Sequence, residues 1–215
     1  MQVHAHRVAP FDNGMYVVAD AHGDAILIDP AQGEREALAT LRERGLRVIE
    51  LLNTHGHPDH VFANAALQAA TGARLAIHRA DAYRLDPQRA PLPRVIGSFP
   101  RSVPDDLIDE GPLAYLADIE LVALHTPGHT EGSTSFYLPA AGILFTGDLL
   151  FKGNIGRVDL PGGDGTVMVR SLERIAGLPP ETIVYPGHGA QTTIGAERST
   201  LRALGTAGVL PGLRL

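Results

Sequence analysis

The 215-residue chain contains no cysteine, which excludes a disulfide framework, a thiolate metal site and a cysteine nucleophile. It is also poor in basic residues: 18 Lys and Arg stand against 24 Asp and Glu, a formal net charge of −6. A broad electrostatic footprint for nucleic acid is therefore not expected, and any basic patch would be local. No apolar run approaches the roughly 20 residues that cross a bilayer. The opening Met1-Gln2-Val3-His4-Ala5-His6-Arg7 lacks the apolar centre of a signal peptide. These absences lead us to expect a cytoplasmic protein whose partners include neither nucleic acid nor membrane. With 44% hydrophobic and 20% charged residues the composition is that of an ordinary globular protein. The length suits one large domain, here expected over 1–215, with a real core.

The most informative stretch is Thr54-His55-Gly56-His57-Pro58-Asp59-His60, which places three imidazoles and a carboxylate in six consecutive positions. Neither a core nor a solvated surface needs that density. Imidazole and carboxylate suit zinc, iron or manganese. Gly56 lets the backbone bend between His55 and His57, and Pro58 pushes His57 out of the helical region. The side chains should splay from a loop with a helix beginning just behind it.

Around this stretch the chain reads as alternating strands and helices. Met15–Ala19 and Ala25–Ile28 flank the turn Ala21-His22-Gly23-Asp24 and predict a hairpin. A helix is expected from Gly33 to Arg44, stopped at Gly45, and another from Val61 to Thr71, stopped at Gly72. Val48–Leu52 and Arg74–Ile77 read as strands, and Val48–Leu52 runs into the His cluster. Residues 86–112 hold Pro87, Pro91, Pro93, Pro100, Pro104 and Pro112. So many prolines argue against regular elements and for a long surface loop, either a plain connector or a cover for the site. Further on, Ile119–Leu124 reads as a strand, Ser133–Leu138 and Gly142–Phe145 as a hairpin, Gly165–Ala176 as a helix and Thr182–Tyr185 as a strand.

Four polar clusters each follow a predicted strand: His55 to His60, His129, Asp148 and His188. Loops beyond strand ends can bring residues distant in sequence into one cleft. Five histidines and two aspartates suffice for two metal ions if one carboxylate bridges. The other histidines receive structural readings: His125 as a backbone-bonded turn residue, His78 and His22 at the surface or at strand ends, and His4 and His6 along an N-terminal strand.

The set His55-Gly56-His57-Pro58-Asp59-His60, His129, Asp148 and His188 resembles the signature of the metallo-β-lactamase superfamily. The resemblance covers most of the chain and implies an α/β fold, a four-layer αβ/βα sandwich with metals at one edge of the paired sheets. By motif, His55, His57 and His129 would hold a first ion, and Asp59, His60 and His188 a second, with Asp148 bridging. Two zinc ions, or iron or manganese, are the implied cofactors, and Asp59 and Asp148 the implied catalytic carboxylates. A metal-bound hydroxide would be the nucleophile.

The segment Gly147 to Asp164 resembles that of short glyoxalase II-like hydrolases, which cleave glutathione thioesters such as S-lactoylglutathione. Arg157 falls where those enzymes carry a basic residue contacting glutathione; a surface ion pair with Asp159 is the structural alternative. Lys152 reads as a solvated loop residue. Only 27 residues follow His188, so the helical glutathione-binding domain of full-length glyoxalase II is not expected. Gly189 and Ala190 stand where an aromatic residue would follow the last histidine. Recognition of glutathione, or of another thioester, would therefore rest on other groups. The expected partner is a small-molecule thioester, and a homodimer is compatible with so compact a domain. The competing reading is a persulfide dioxygenase with one iron on His55, His129 and Asp148, since Gly156-Arg157-Val158-Asp159 resembles a stretch in that group too. A lactonase, a true β-lactamase and a non-enzymatic metal-binding module rank lower. An RNA-processing nuclease does not suit the acidic balance.

Overall fold

A computed structural model describes residues 1–91 and 98–201. The first sheet has the order β1 (Gln2–Val8), β2 (Asn13–Ala19), β3 (Asp24–Ile28), β4 (Arg47–Asn53), β5 (Arg74–His78) and β6 (Asp106–Ile108). Its first three strands are antiparallel and its last four run parallel. The second sheet follows the order β14 (Thr192–Thr193), β13 (Ile183–Pro186), β10 (Ile143–Gly147), β9 (Thr134–Leu138), β8 (Leu121–His125) and β7 (Gly111–Leu113). A small ribbon pairs β11 (Leu150–Phe151) with β12 (Asn154–Ile155).

The alternation of apolar side chains along these strands serves two interiors at once. Tyr16, Val18, Ile26, Ile28 and Leu52 face Leu121, Ala123, Phe136 and Phe145 between the sheets. Their neighbours Val17, Leu27, Leu51 and Leu75 point the other way, to a core shared with Ala37, Leu41 and Leu67. Those three lie on α1 (Glu34–Arg44) and α3 (Asn64–Thr71). On the opposite outer face, Leu144 and Val184 pack with Met168, Leu172 and Ile175 of α4 (Gly165–Ala176). The order is helix, sheet, sheet, helix, the four-layer sandwich expected.

The helix stops also hold, with Gly45 and Gly72 in the left-handed conformation that terminates α1 and α3. Two expectations need correction. The helix expected from Val61 to Thr71 is split into α2 (Pro58–Val61) and α3. At the break the Ala63 amide donates to the Ala31 carbonyl at 2.8 Å rather than along the helix. The proline-rich span is not simply a surface loop. It contains the edge strands β6 and β7, and Phe99 is buried in the first sheet's outer core. Pro112 sits in β7 opposite Val122, a position proline tolerates because an edge strand leaves one side of its backbone unpaired. Residues 92–97 of that span, and 202–215, on which the expected absence of a C-terminal helical domain depends, lie outside the described residues. Among the described residues no helix is long and apolar enough to cross a membrane.

Candidate metal centre

The carboxyl ends of β3, β4, β8, β10 and β13 deliver Asp29, His55 to His60, His129, Asp148 and His188 to one edge of the sandwich. All seven donors expected from the sequence meet there. The ligand atoms of His55, His57 and His129 lie within 4.8 Å of one another, as do those of Asp59, His60 and His188. Asp148 spans the two groups: Oδ2 is 3.4 Å from His129 Nε2 and 3.5 Å from His188 Nε2, and Oδ1 is 3.3 Å from His60 Nε2. His57 is extended, with Pro58 opening α2 behind it, as the order His-Pro-Asp predicts.

Four of the five rings are oriented from behind. His129 Nδ1 donates to the Arg157 carbonyl at 2.7 Å and His188 Nδ1 to the Phe11 carbonyl at 2.8 Å. A carbonyl only accepts, so both rings carry a proton on Nδ1 and turn Nε2 into the cluster. Asp29 does the same for two more. Its Oδ2 accepts from His60 Nδ1 at 3.0 Å and from Thr54 Oγ1 at 2.6 Å, and that hydroxyl lies 3.1 Å from His55 Nδ1. Asp29 also takes the Thr54 amide at 2.8 Å. His57 differs: its Nδ1 faces His129 Nε2 at 2.8 Å. Asn13 donates to Asp59 Oδ2 at 3.1 Å. The start of β2 is tied to the last loop by Gly14 N–H to the Gly187 carbonyl and by the Tyr16 hydroxyl to the Pro186 carbonyl.

The supporting roles of Asp29, Thr54 and Asn13 have no signal in the sequence. Asp29-Pro30 reads simply as a strand end, and nothing local marks the carboxylate that holds two rings. His125 is the backbone-bonded residue expected, its Nε2 on the Glu131 carbonyl at 2.9 Å. It stacks on His78, a buried strand-end residue, while His22 is exposed and pairs with Asp118. Arg157 forms the anticipated ion pair, two contacts of 2.6 and 2.8 Å to Asp159, with its side chain 44% exposed. Lys152 is exposed.

The cluster fits divalent metal. His55 Nε2, His57 Nε2 and Asp148 Oδ1 are buried without a hydrogen-bonding partner, a costly arrangement unless a cation uses the lone pairs. Five imidazoles and two carboxylates without sulfur suit zinc, iron or manganese, and rings anchored through the far nitrogen are the usual support of metal-binding histidines.

A metallo-beta-lactamase superfamily domain model matches residues 10–188. The chain is 32% identical over 206 residues to the hydroxyacylglutathione hydrolase GloC of Haemophilus influenzae, with 92% of this chain and 95% of that protein aligned. Among solved structures, the BLEG-1 B3 metallo-beta-lactamase superposes with a TM-score of 0.85 at 33% identity, covering 94% of this chain and 99% of that one. TTHA1623 in a di-iron-bound form gives 0.83 at 37% identity, covering 92% and 98%. A domain match over most of the chain, on a four-layer sandwich with the donor cluster at its edge, makes this chain a member of the metallo-beta-lactamase superfamily.

Proposed function

We propose that the protein is a metal-dependent thioester hydrolase of the hydroxyacylglutathione hydrolase type, acting on a small-molecule substrate. One observation carries the metal-dependent chemistry: seven donors form two triads with Asp148 between them. The thioester class rests on the likeness to GloC along nearly the whole of that protein. In this reading 1–215 is a single domain in the cytoplasm. His55, His57 and His129 would hold one ion and Asp59, His60 and His188 the other, with Asp148 placed to serve both.

When bound, a pair of such ions lowers the pKa of a water towards neutrality and polarises the substrate carbonyl. The chain's own groups do the rest. Asp59 and Asp148 are the catalytic carboxylates. Burial pushes both carboxyls up, but His60 and His188 outweigh it and hold them below the usual carboxylate range. They stay ionised and accept hydrogen bonds from the attacking water, with Asn13 fixing the Asp59 oxygen it contacts. Water oxygen adds to the thioester carbon, the C–S bond breaks, and the products are a carboxylic acid and a thiol. Arg157 is the proposed substrate contact, and a substrate carboxylate there competes with Asp159.

Zinc is the proposed ion. Iron has specific support in the di-iron form of TTHA1623, and a mononuclear iron dioxygenase on His55, His129 and Asp148 is the second reading. The deciding assay is thiol release from S-D-lactoylglutathione by protein of known metal content. Release that is lost on chelation and restored by zinc supports the hydrolase. Silence, together with oxygen uptake on glutathione persulfide by the iron form, replaces it with the dioxygenase.

A further inference from the structure

Behind the three-imidazole group lies a carboxylate that touches none of the donors. Asp81, on the 3-10 turn Arg79–Leu85 that follows β5, is fully buried. Its Oδ2 accepts the Gly56 amide at 2.8 Å and the Thr130 hydroxyl at 2.8 Å, and its Oδ1 accepts the Gly132 amide at 2.8 Å. Gly56 lies between His55 and His57, and Thr130 is next to His129. The first loop leaves the first sheet and the second leaves the opposite one, so one carboxylate fastens together the two segments that carry the triad. The turn comes close enough only because both anchor points lack a side chain. A Cβ on Gly56 would stand 2.5 Å from Arg84 Cβ, and one on Gly132 would stand 2.7 Å from Asp81 Cβ. Gly56 is therefore explained by close approach, not by the bend expected from the sequence.

The arrangement is selective for a carboxylate. Three donors converge on two oxygens, which an ionised Asp can serve completely. An Asn would turn its NH2 towards at least one N–H or O–H donor. Charge is balanced nearby by the buried Arg84, whose Nε is 3.3 Å from Asp81 Oδ1. Arg84 also bonds Glu131 and, at 2.8 Å, the Pro161 carbonyl. The same anchor thus reaches the segment that carries Arg157.

We propose that Asp81 is a positioning residue that sets the spacing of His55 and His57 against His129, and so controls metal affinity in that half of the centre alone. The proposal rests on the metal-site reading above. The test measures zinc affinity by chelator competition in two backgrounds: His188→Ala, which isolates the three-imidazole half, and His57→Ala, which isolates the other. Asp81→Asn is expected to weaken zinc by about 10–100-fold, the usual effect of losing an outer partner, in the first background and to leave the second unchanged. Equal weakening in both, tracking a lower Tm, makes Asp81 merely structural and overturns the proposal, as does no change in either. If His57→Ala and His188→Ala each bind zinc like the parent protein, the site reading fails and the proposal falls with it. Should Asp81→Asn not fold, Thr130→Val removes one of the three contacts and must give the same asymmetry, smaller in size; a symmetric response is fatal.

Discussion

The two halves of the donor cluster use the same imidazole in opposite states. Around His55, His57 and His129 every donor is a buried ring. Burial, with the neighbouring imidazoles, pushes His55 well below its ordinary 6.5 and takes His57 down to about 3. Around Asp59, His60 and His188 a carboxylate belongs to the group, and both Asp59 and His188 are partly open to solvent. Burial pulls the His60 pKa down there too, but Asp59, Asp148 and Asp29 overcome it and raise it well above 6.5. Burial is likewise outweighed at His188, where Asp148 and Asp59 raise the pKa to about 10. The rings of His55 and His60 lie only 4.2 Å apart. The position of the carboxylates, not burial, decides which ring carries a proton. His55 and His57 offer lone pairs at neutral pH, whereas the acidic half holds protons that a cation must displace.

Removing a donor from either half is the severest way to break this picture. His57→Ala and His188→Ala should each cut thioester hydrolysis by more than about a hundredfold, beyond what losing an outer partner costs. Rates near the parent value in metal-analysed protein would remove the need for two halves.

The contrast in protonation can be sharpened by titrating zinc into the same two variants across pH. In His57→Ala protein the remaining half must expel the His188 proton below about 10, so affinity rises with pH. Each displaced proton gives about tenfold per unit, and His60 holds one as well as His188, so the rise is at least about a hundredfold between about pH 6 and about pH 8. In His188→Ala protein, with His55 held well below 6.5 and His57 titrating at about 3, affinity should rise less steeply over that range. Matching slopes would erase the distinction.

The smallest effect concerns a carboxylate that lacks what Asp59 and Asp148 have. Glu50, on β4 below the cluster, is buried with Oε1 unpartnered. Burial, then Asp106, raise its carboxyl from 4.5 to about 8. The folded state therefore binds a proton that the unfolded state releases between those values, and this contribution to stability declines as pH rises from about 4.5 to about 8. Glu50→Gln should flatten that part of the stability curve, as followed by denaturant unfolding. An unchanged slope would show that Glu50 finds a counter-charge on folding.

Much of the site is legible in the sequence. The dense His-Asp stretch, and single donors just after predicted strands, identified seven residues that meet at one sheet edge. The carbonyls of Phe11 and Arg157 that orient two rings are not legible, because a backbone acceptor has no residue signature. Asp29, Thr54 and Asn13 escaped for a related reason: each is ordinary in its own segment and matters only through what the fold brings beside it. The proline-rich span misled because proline counts speak to local preference, while edge strands accept proline when only one side of the backbone is paired.

The sequence by itself determined the donor chemistry, the helix stops at Gly45 and Gly72 and the alternation that puts two sheets between helices. These follow from side-chain type and local backbone preference, which act over a few residues. Only the tertiary structure decided which imidazoles are neutral, which carboxylates fix them and why Gly56 is glycine. Those outcomes depend on contacts between segments tens of residues apart, where distances of about 3 Å and exclusion of water set both protonation and orientation.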